Sequence, residues 1–138
     1  MWNLLAFAMC GLCFTGMARA DTAAYQGERL AKYARYAGAP VPDFTMTSLW
    51  QWRVVGPQDI VAWPRIDSAY LITVAKPCMR LQRTNALGLT QETSMKVTQK
   101  YDKIIFGHQS CPITRIRPID YKKLRSDDET VAADNAEK

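Results

Sequence analysis

Cys78, Cys111 and His108 carry the most specific chemistry in this chain, and their spacing allows three readings. Thiols far apart in sequence can oxidise to a structural disulfide. Two thiols and an imidazole can hold zinc if a fourth group, such as Asp102, completes the set. A redox-active pair instead wants its sulfurs close together at a helix start. The zinc set needs reduced thiols and rests on a lone H-x-x-C, which leaves His108 better read as a turn residue, with no metal expected. The disulfide follows if the chain is exported. Cys10 and Cys13 then depart with the leader, and Cys78 and Cys111 can pair only with each other. Closing a loop of about 34 residues is worth roughly 3 to 4 kcal/mol in the chain-entropy account.

Catalytic patterns are scarce. There is no G-x-S-x-G, no glycine-rich phosphate loop, and Ser110 near His108 is a proximity without geometry. Asp43, Asp59, Asp67 and Asp102 sit in turn contexts. The expectation is therefore a protein that is not an enzyme, with no catalytic residues and no cofactor. Two sets remain for binding. Trp50, Trp52, Trp63 and Tyr70 offer faces that suit sugars and apolar ligands, although such residues at strand spacing usually fill a core. Arg115, Arg117, Lys122, Lys123 and Arg125 lie near the C-terminal strand and would meet an anionic partner.

Residues 1–20 read as a signal peptide. An apolar run from Trp2 to Met17 ends in Ala18-Arg19-Ala20, a small-x-small cleavage pattern before Asp21. The run is short for a membrane span, which takes roughly 20 apolar residues, although its n-region lacks Lys and Arg. Retention as an anchor is the competing reading. The C-x-x-C of Cys10 and Cys13 falls inside this leader, and neither cysteine follows the small residue that lipid attachment favours. Export predicts a periplasmic or secreted protein with no transmembrane segment after cleavage, and it makes nucleic acid an improbable partner. The partner would be an anionic envelope component or another periplasmic protein, bound by a monomeric or weakly associating chain.

Charge is unevenly distributed along the rest. Of the 18 Lys and Arg, sixteen lie between Asp21 and Arg125, against eight of the 13 acids. The final stretch, 126–138, holds the other five acids and almost no large apolar side chain. Such composition offsets little ordering entropy, so it reads as a disordered acidic tail. Residues 21–125 then form one disulfide-stapled domain.

Within that domain, Leu30, Tyr33, Ala34 and Ala37 fall at helical spacing, with Gly38 and Pro40 as stop signals. From Val41 the pattern is that of strands. Leu49 to Val55 alternates, Gly56-Pro-Gln-Asp59 is turn chemistry, and Ile60 to Trp63 returns. Pro64 to Ser68 turns again into Ala69 to Cys78, a continuous apolar strand, so a three-stranded meander is expected. Met79 to Gln91 fits no period and reads as a helical turn followed by a loop. Ser94 to Lys100 and Lys103 to Phe106 flank Tyr101-Asp102 as a hairpin, and Cys111 to Arg117 is the last strand. Ile119 to Arg125 offers one or two helical turns. The fold class is mainly β (α+β): an antiparallel sheet of about six strands curled into an open barrel or small sandwich, with the N-terminal helix packed outside.

The order of Tyr36-Ala-Gly-Ala-Pro-Val41, Trp52, Tyr70-Leu-Ile-Thr-Val74, Cys78-Met-Arg-Leu81, Gly88-Leu-Thr90, Tyr101-Asp102 and Cys111-Pro-Ile-Thr-Arg-Ile-Arg-Pro-Ile-Asp120 resembles a domain-of-unknown-function family. Its members are small secreted or periplasmic proteins of Gram-negative bacteria. The resemblance covers about residues 30 to 125 and implies the cysteine pair and the domain limits. It implies no activity and carries no catalytic or binding residues across. The function expected is that of a non-catalytic binding or scaffolding module, with a small-ligand protein holding an aromatic-lined pocket as the alternative.

Overall fold

The computed structural model describes residues 27–137 of the 138-residue chain. The leader expected at 1–20, with Cys10 and Cys13, lies outside the described residues. The element order is a helix through 27–35 (α1), then β1 (Asp43–Thr45), β2 (Gln51–Val54), β3 (Asp59–Arg65), β4 (Ser68–Val74), a 3-10 turn at Leu81–Arg83, β5 (Gly88–Leu89), β6 (Lys96–Thr98), β7 (Lys103–Phe106), β8 (Gln109–Ile119) and α2 (Tyr121–Ala136).

The main sheet is antiparallel and six-stranded, in the order β2-β3-β4-β8-β7-β5. The expected meander forms its first half, because β2, β3 and β4 are joined by short turns at Gly56–Gln58 and Ile66–Asp67. Two register shifts curl the sheet toward a half-barrel. One lies between Ala62 and Arg65 of β3, where Pro64 cannot donate to a ladder, and one between Thr73 and Val74 of β4.

Both faces of this sheet are buried. Along β3, Ile60 and Ala62 point to one side and Val61 and Trp63 to the other, so almost every residue of the strand is covered. On the first face the cover is a separate two-stranded sheet of β1 and β6, in which Phe44 pairs with Val97. Phe44, Met46 and Val97 pack there against Ile60, Ile72, Val74 and Ile116. On the second face the cover is α1 and α2. Tyr33 of α1 and Leu124 of α2 are buried against Val61, Trp63, Leu71 and Ile119, and Leu30, Ala34 and Ala37 complete the apolar stripe read from the sequence.

The chain from Ser126 to Ala136, expected as a disordered tail, is helical and continues α2. The Asp120 carboxylate caps the helix by accepting from the Lys123 amide at 3.1 Å, and Leu124 anchors its first turns in the core. Beyond Leu124 the order rests on polar contacts. Tyr36 donates to Asp127 at 2.6 Å and Lys32 meets Asp128 at 2.9 Å, tying α2 to the C-terminal end of α1. The Asp127 carboxylate that accepts this bond holds the Tyr36 phenol above its ordinary range. An i,i+4 pair between Arg125 and Glu129 adds to the helix.

Cys78 and Cys111 are joined, with their Cα atoms 5.8 Å apart. The bridge ties the segment after β4 to β8, the strand that lies between β4 and β7. Replacing both cysteines with Ala should lower unfolding free energy by about 2 to 5 kcal/mol, the usual cost for a small disulfide-bearing domain. Urea unfolding of the oxidised protein and the double variant measures it, and equal midpoints would refute it.

A basic cleft beside the disulfide

The segment after β4 leaves the sheet at Ala75, passes Cys78 and turns at Arg80 into the 3-10 turn. Two anchors hold it: the sulfur bridge and Leu81, which is fully buried in the first core. Arg80 itself adopts a left-handed backbone, φ 65° and ψ 6°, a conformation that disfavours side chains with a Cβ and needs surrounding structure to maintain it. Opposite this segment stands the tight turn between β7 and β8, where Gly107 has φ 55° and His108 follows it. Glycine meets that positive φ without strain.

Between the two walls opens a cleft of about 440 Å³. Arg80, Arg83 and His108 bring basic groups to it, and Thr84, Asn85 and Gln109 bring neutral polar ones. Phe106 forms an apolar part of its wall. None of the lining residues is acidic, and among the described residues no carboxylate pairs with Arg80 or Arg83. A concave surface lined by one sign of charge concentrates counter-ions of the other. Arginine also presents a planar fork of donors that matches carboxylate and phosphate oxygens. The disulfide couples the walls, since Cys78 precedes Arg80 by two residues and Cys111 follows His108 by three.

The residues singled out from the sequence are dispersed. Trp50 is 54% exposed beside the edge strand β2. Trp52 lies opposite Ala62, and Ala62 opposite Tyr70, so these three share the first face, where Tyr70 stacks on Phe44 with ring centroids 4.3 Å apart. Trp63 is on the other face, edge-on to Tyr33 and Tyr121. The four aromatics therefore do not line one pocket. Among the basic residues, Arg117 donates to the carbonyls of Gly38 at 2.9 Å and Ala37 at 3.0 Å, which commits it to holding the end of α1. Arg115 is exposed on β8 opposite Thr73, Lys122 and Lys123 are exposed in the first turn of α2, and Arg125 sits beside Glu129. The Arg80–Arg83 segment was the part of the chain without a period. Its signal is two arginines and three neutral polar residues, Gln82, Thr84 and Asn85, within Arg80 to Asn85, starting two residues after Cys78.

Asp102 proves to be a structural residue rather than a zinc ligand or a solvated turn acid. It is 1% exposed, and its carboxylate accepts four hydrogen bonds. Oδ1 takes the Glu92 amide and the Thr90 hydroxyl, both at 2.9 Å. Oδ2 takes the Thr98 amide at 2.6 Å and the Thr98 hydroxyl at 3.0 Å. Its backbone amide donates to Thr98 and its carbonyl accepts from Ile113. Ser94–Lys100 and Lys103–Phe106 consequently do not form the expected hairpin. β6 pairs with β1, β7 pairs with β5 and β8, and Asp102 joins the two sheets at the corner between them. Both cysteine sulfurs are consumed by the bridge, and among the described residues no group of three His, Cys, Asp or Glu could hold a metal.

Residues 1–135 match the family of unknown function DUF6491. The chain belongs to that family. No curated protein and no solved structure matches it. DUF6491 membership thus extends over almost the entire sequence, residues 1–20 and nearly all of α2 included, and assigns no chemistry to any residue. Among the described residues no helix is long and apolar enough to cross a membrane.

Burial alone would push the Asp102 pKa up, but the amides of Thr98 and Glu92 and the hydroxyls of Thr90 and Thr98 outweigh it, leaving the carboxyl below its ordinary range. A group with a depressed folded pKa stabilises above its unfolded pKa and loses that contribution as pH falls through the folded value. Asp102→Asn should therefore cost about 2 to 4 kcal/mol at neutral pH, since the amide leaves converging donors unsatisfied. The gap between variant and wild type should close as pH drops below about 4. Denaturation midpoints measured from pH 7 to pH 3 test this, and a pH-independent gap would contradict it.

Proposed function

We propose that this chain is an exported, non-catalytic binding module that captures an anionic group of its partner in the Arg80–Arg83–His108 cleft. The observation that carries this reading is the cleft itself: three basic side chains and no acidic one, on two walls linked by a disulfide. Charge-assisted bonds from arginine to carboxylate or phosphate oxygens are about twice as strong as neutral ones, and walls held in place lose little freedom on binding. Binding fits the cleft better than chemistry. The only hydroxyl among its lining residues, on Thr84, is committed as a donor to the Ala86 carbonyl at 2.7 Å, and no carboxylate lines the cleft to orient His108 as a base. The apolar leader with its Ala18-Arg19-Ala20 ending and the disulfide both favour a periplasmic or secreted location, where the partner would be an anionic envelope component.

Two outcomes follow. Titration with inorganic phosphate should shift the backbone resonances of Arg80, Arg83 and His108 saturably. Arg80→Gln with Arg83→Gln should weaken that binding by about tenfold or more, and Cys78→Ala with Cys111→Ala should weaken it as well because the walls are uncoupled. Phosphate that leaves these resonances unmoved, or binds the double glutamine variant equally well, would defeat the assignment. Export predicts that protein recovered from outside the cytoplasm has an intact mass corresponding to a chain starting at Asp21, and a recovered form retaining Met1 would defeat it.

A further inference from the structure

A second cleft, on the opposite cover of the sheet, is lined by a residue whose side-chain donor has no acceptor among the described residues. Trp63 is 3% exposed, and its indole Nε1 is buried without a hydrogen-bond partner. Buried polar groups in folded proteins are almost always paired, so an orphan indicates either a strained site or a missing acceptor. Trp63 lines a cleft of about 310 Å³ between α1, α2 and the β2–β3 edge. That volume lies at the small end of the range for small-molecule sites.

The lining divides by chemistry. Tyr33, Trp63, Tyr121 and Leu124 supply apolar surface, with Tyr33 and Tyr121 edge-on to the indole at centroid distances of 6.1 Å and 6.0 Å. A further ring can pack against Tyr121 offset or edge-to-face, the arrangements that aromatic pairs favour. Three cations line the same cleft, of which Lys32 is already neutralised by Asp128 at 2.9 Å. Among the described residues the two arginines hold long contacts. Arg53 donates to the Tyr33 hydroxyl at 3.3 Å, and Arg125 lies 3.8 Å from Glu129. Asp128 and Glu129 in the same wall disfavour a polyanion.

We propose that this cleft is a ligand site for a small aromatic monocarboxylate, its ring against Tyr121 and Leu124 and its carboxylate accepting from Trp63 Nε1 and Arg53. The indole nitrogen is sealed from solvent, so the ligand reaches it by displacing the Arg53–Tyr33 and Arg125–Glu129 contacts, the weakest polar contacts around the cleft. The carboxylate then replaces the Tyr33 hydroxyl as the acceptor for Arg53 and gives the orphan donor its acceptor. The site is independent of the Arg80–Arg83–His108 cleft and separable from it.

Benzoate titrated into the full chain, with the indole proton resonances followed, tests the assignment. Trp63→Phe identifies the Trp63 signal and keeps a ring while removing the donor. Arg53→Gln changes a partly exposed side chain and leaves the core intact. The expected result is a saturable downfield shift of the Trp63 indole proton, weakened by about tenfold in Arg53→Gln and accompanied by loss of benzoate binding in Trp63→Phe. Arg80 and His108 should remain unmoved. A Trp63 indole proton that is shifted upfield in the free protein and indifferent to benzoate would place the N–H on a tyrosine ring face and overturn the proposal. So would equal benzoate affinity in wild type and Arg53→Gln.

Discussion

A sheet that is apolar on both faces must be covered twice, and a chain of this length has little material with which to do it. Here β3 is the plainest case, with Ile60 and Ala62 on one side and Val61 and Trp63 on the other. Helices cover one side cheaply, because a single amphipathic turn such as that around Tyr33 or Leu124 buries several strand residues. The other side is covered chiefly by two three-residue strands, β1 and β6, with Leu81 of the 3-10 segment beside them. Short strands have few ladder bonds, and a two-stranded unit is marginal by itself. The Asp102 carboxylate compensates by gathering donors from Thr90, Glu92 and Thr98 at one buried point, so that β6 cannot lift without stripping a charged acceptor of its partners.

The disulfide has a related place in the design. A long irregular segment between β4 and β5 would otherwise be attached to the body chiefly through Leu81. With Cys78 fixed to Cys111, that segment becomes one wall of a concave surface whose other wall is the β7–β8 turn. Rigidity of the scaffold and geometry of the basic cleft therefore share one covalent bond. The helix-covered face is organised differently: its clefts are bounded by ion pairs and hydroxyls, which can exchange partners without disturbing the sheet.

The meander was legible because its turns are announced by Gly56, Pro57 and Asp67 and its strands by alternation or continuous apolar runs. The cysteine pair is legible because an expected leader over residues 1–20 would take Cys10 and Cys13 with it and leave only Cys78 and Cys111. The helix at α1 was legible from its stripe. What escaped notice depended on distant partners. Nothing around Asp102 distinguishes a buried acceptor of four bonds from a solvated turn acid, since the donors come from Thr90, Glu92 and Thr98. The same blindness produced a local hairpin where β6 in fact crosses to β1. The acidic stretch in α2 has Val131 as its one large apolar side chain, and its order comes from a cap and from Lys32 and Tyr36, over ninety residues away in sequence. The aromatics look like one group in the sequence because the β2–β3 register, which pairs Trp52 with Ala62 and so puts Trp63 on the opposite face, shows only when strands are paired.

The position of β8 bears on how the chain reaches this structure. The β2–β3–β4 hairpins are local in sequence and can close soon after synthesis, but β4 finds its other neighbour only when residues 113–119 have been made. Until then Ala69 to Val74 is a bare, strongly apolar edge with no charged side chain to discourage a foreign strand. Non-local pairing of this kind slows folding and prolongs exposure of such edges. The last strand to be made is thus the one that closes the sheet, carries the second sulfur and leads directly into the helix that seals the far face.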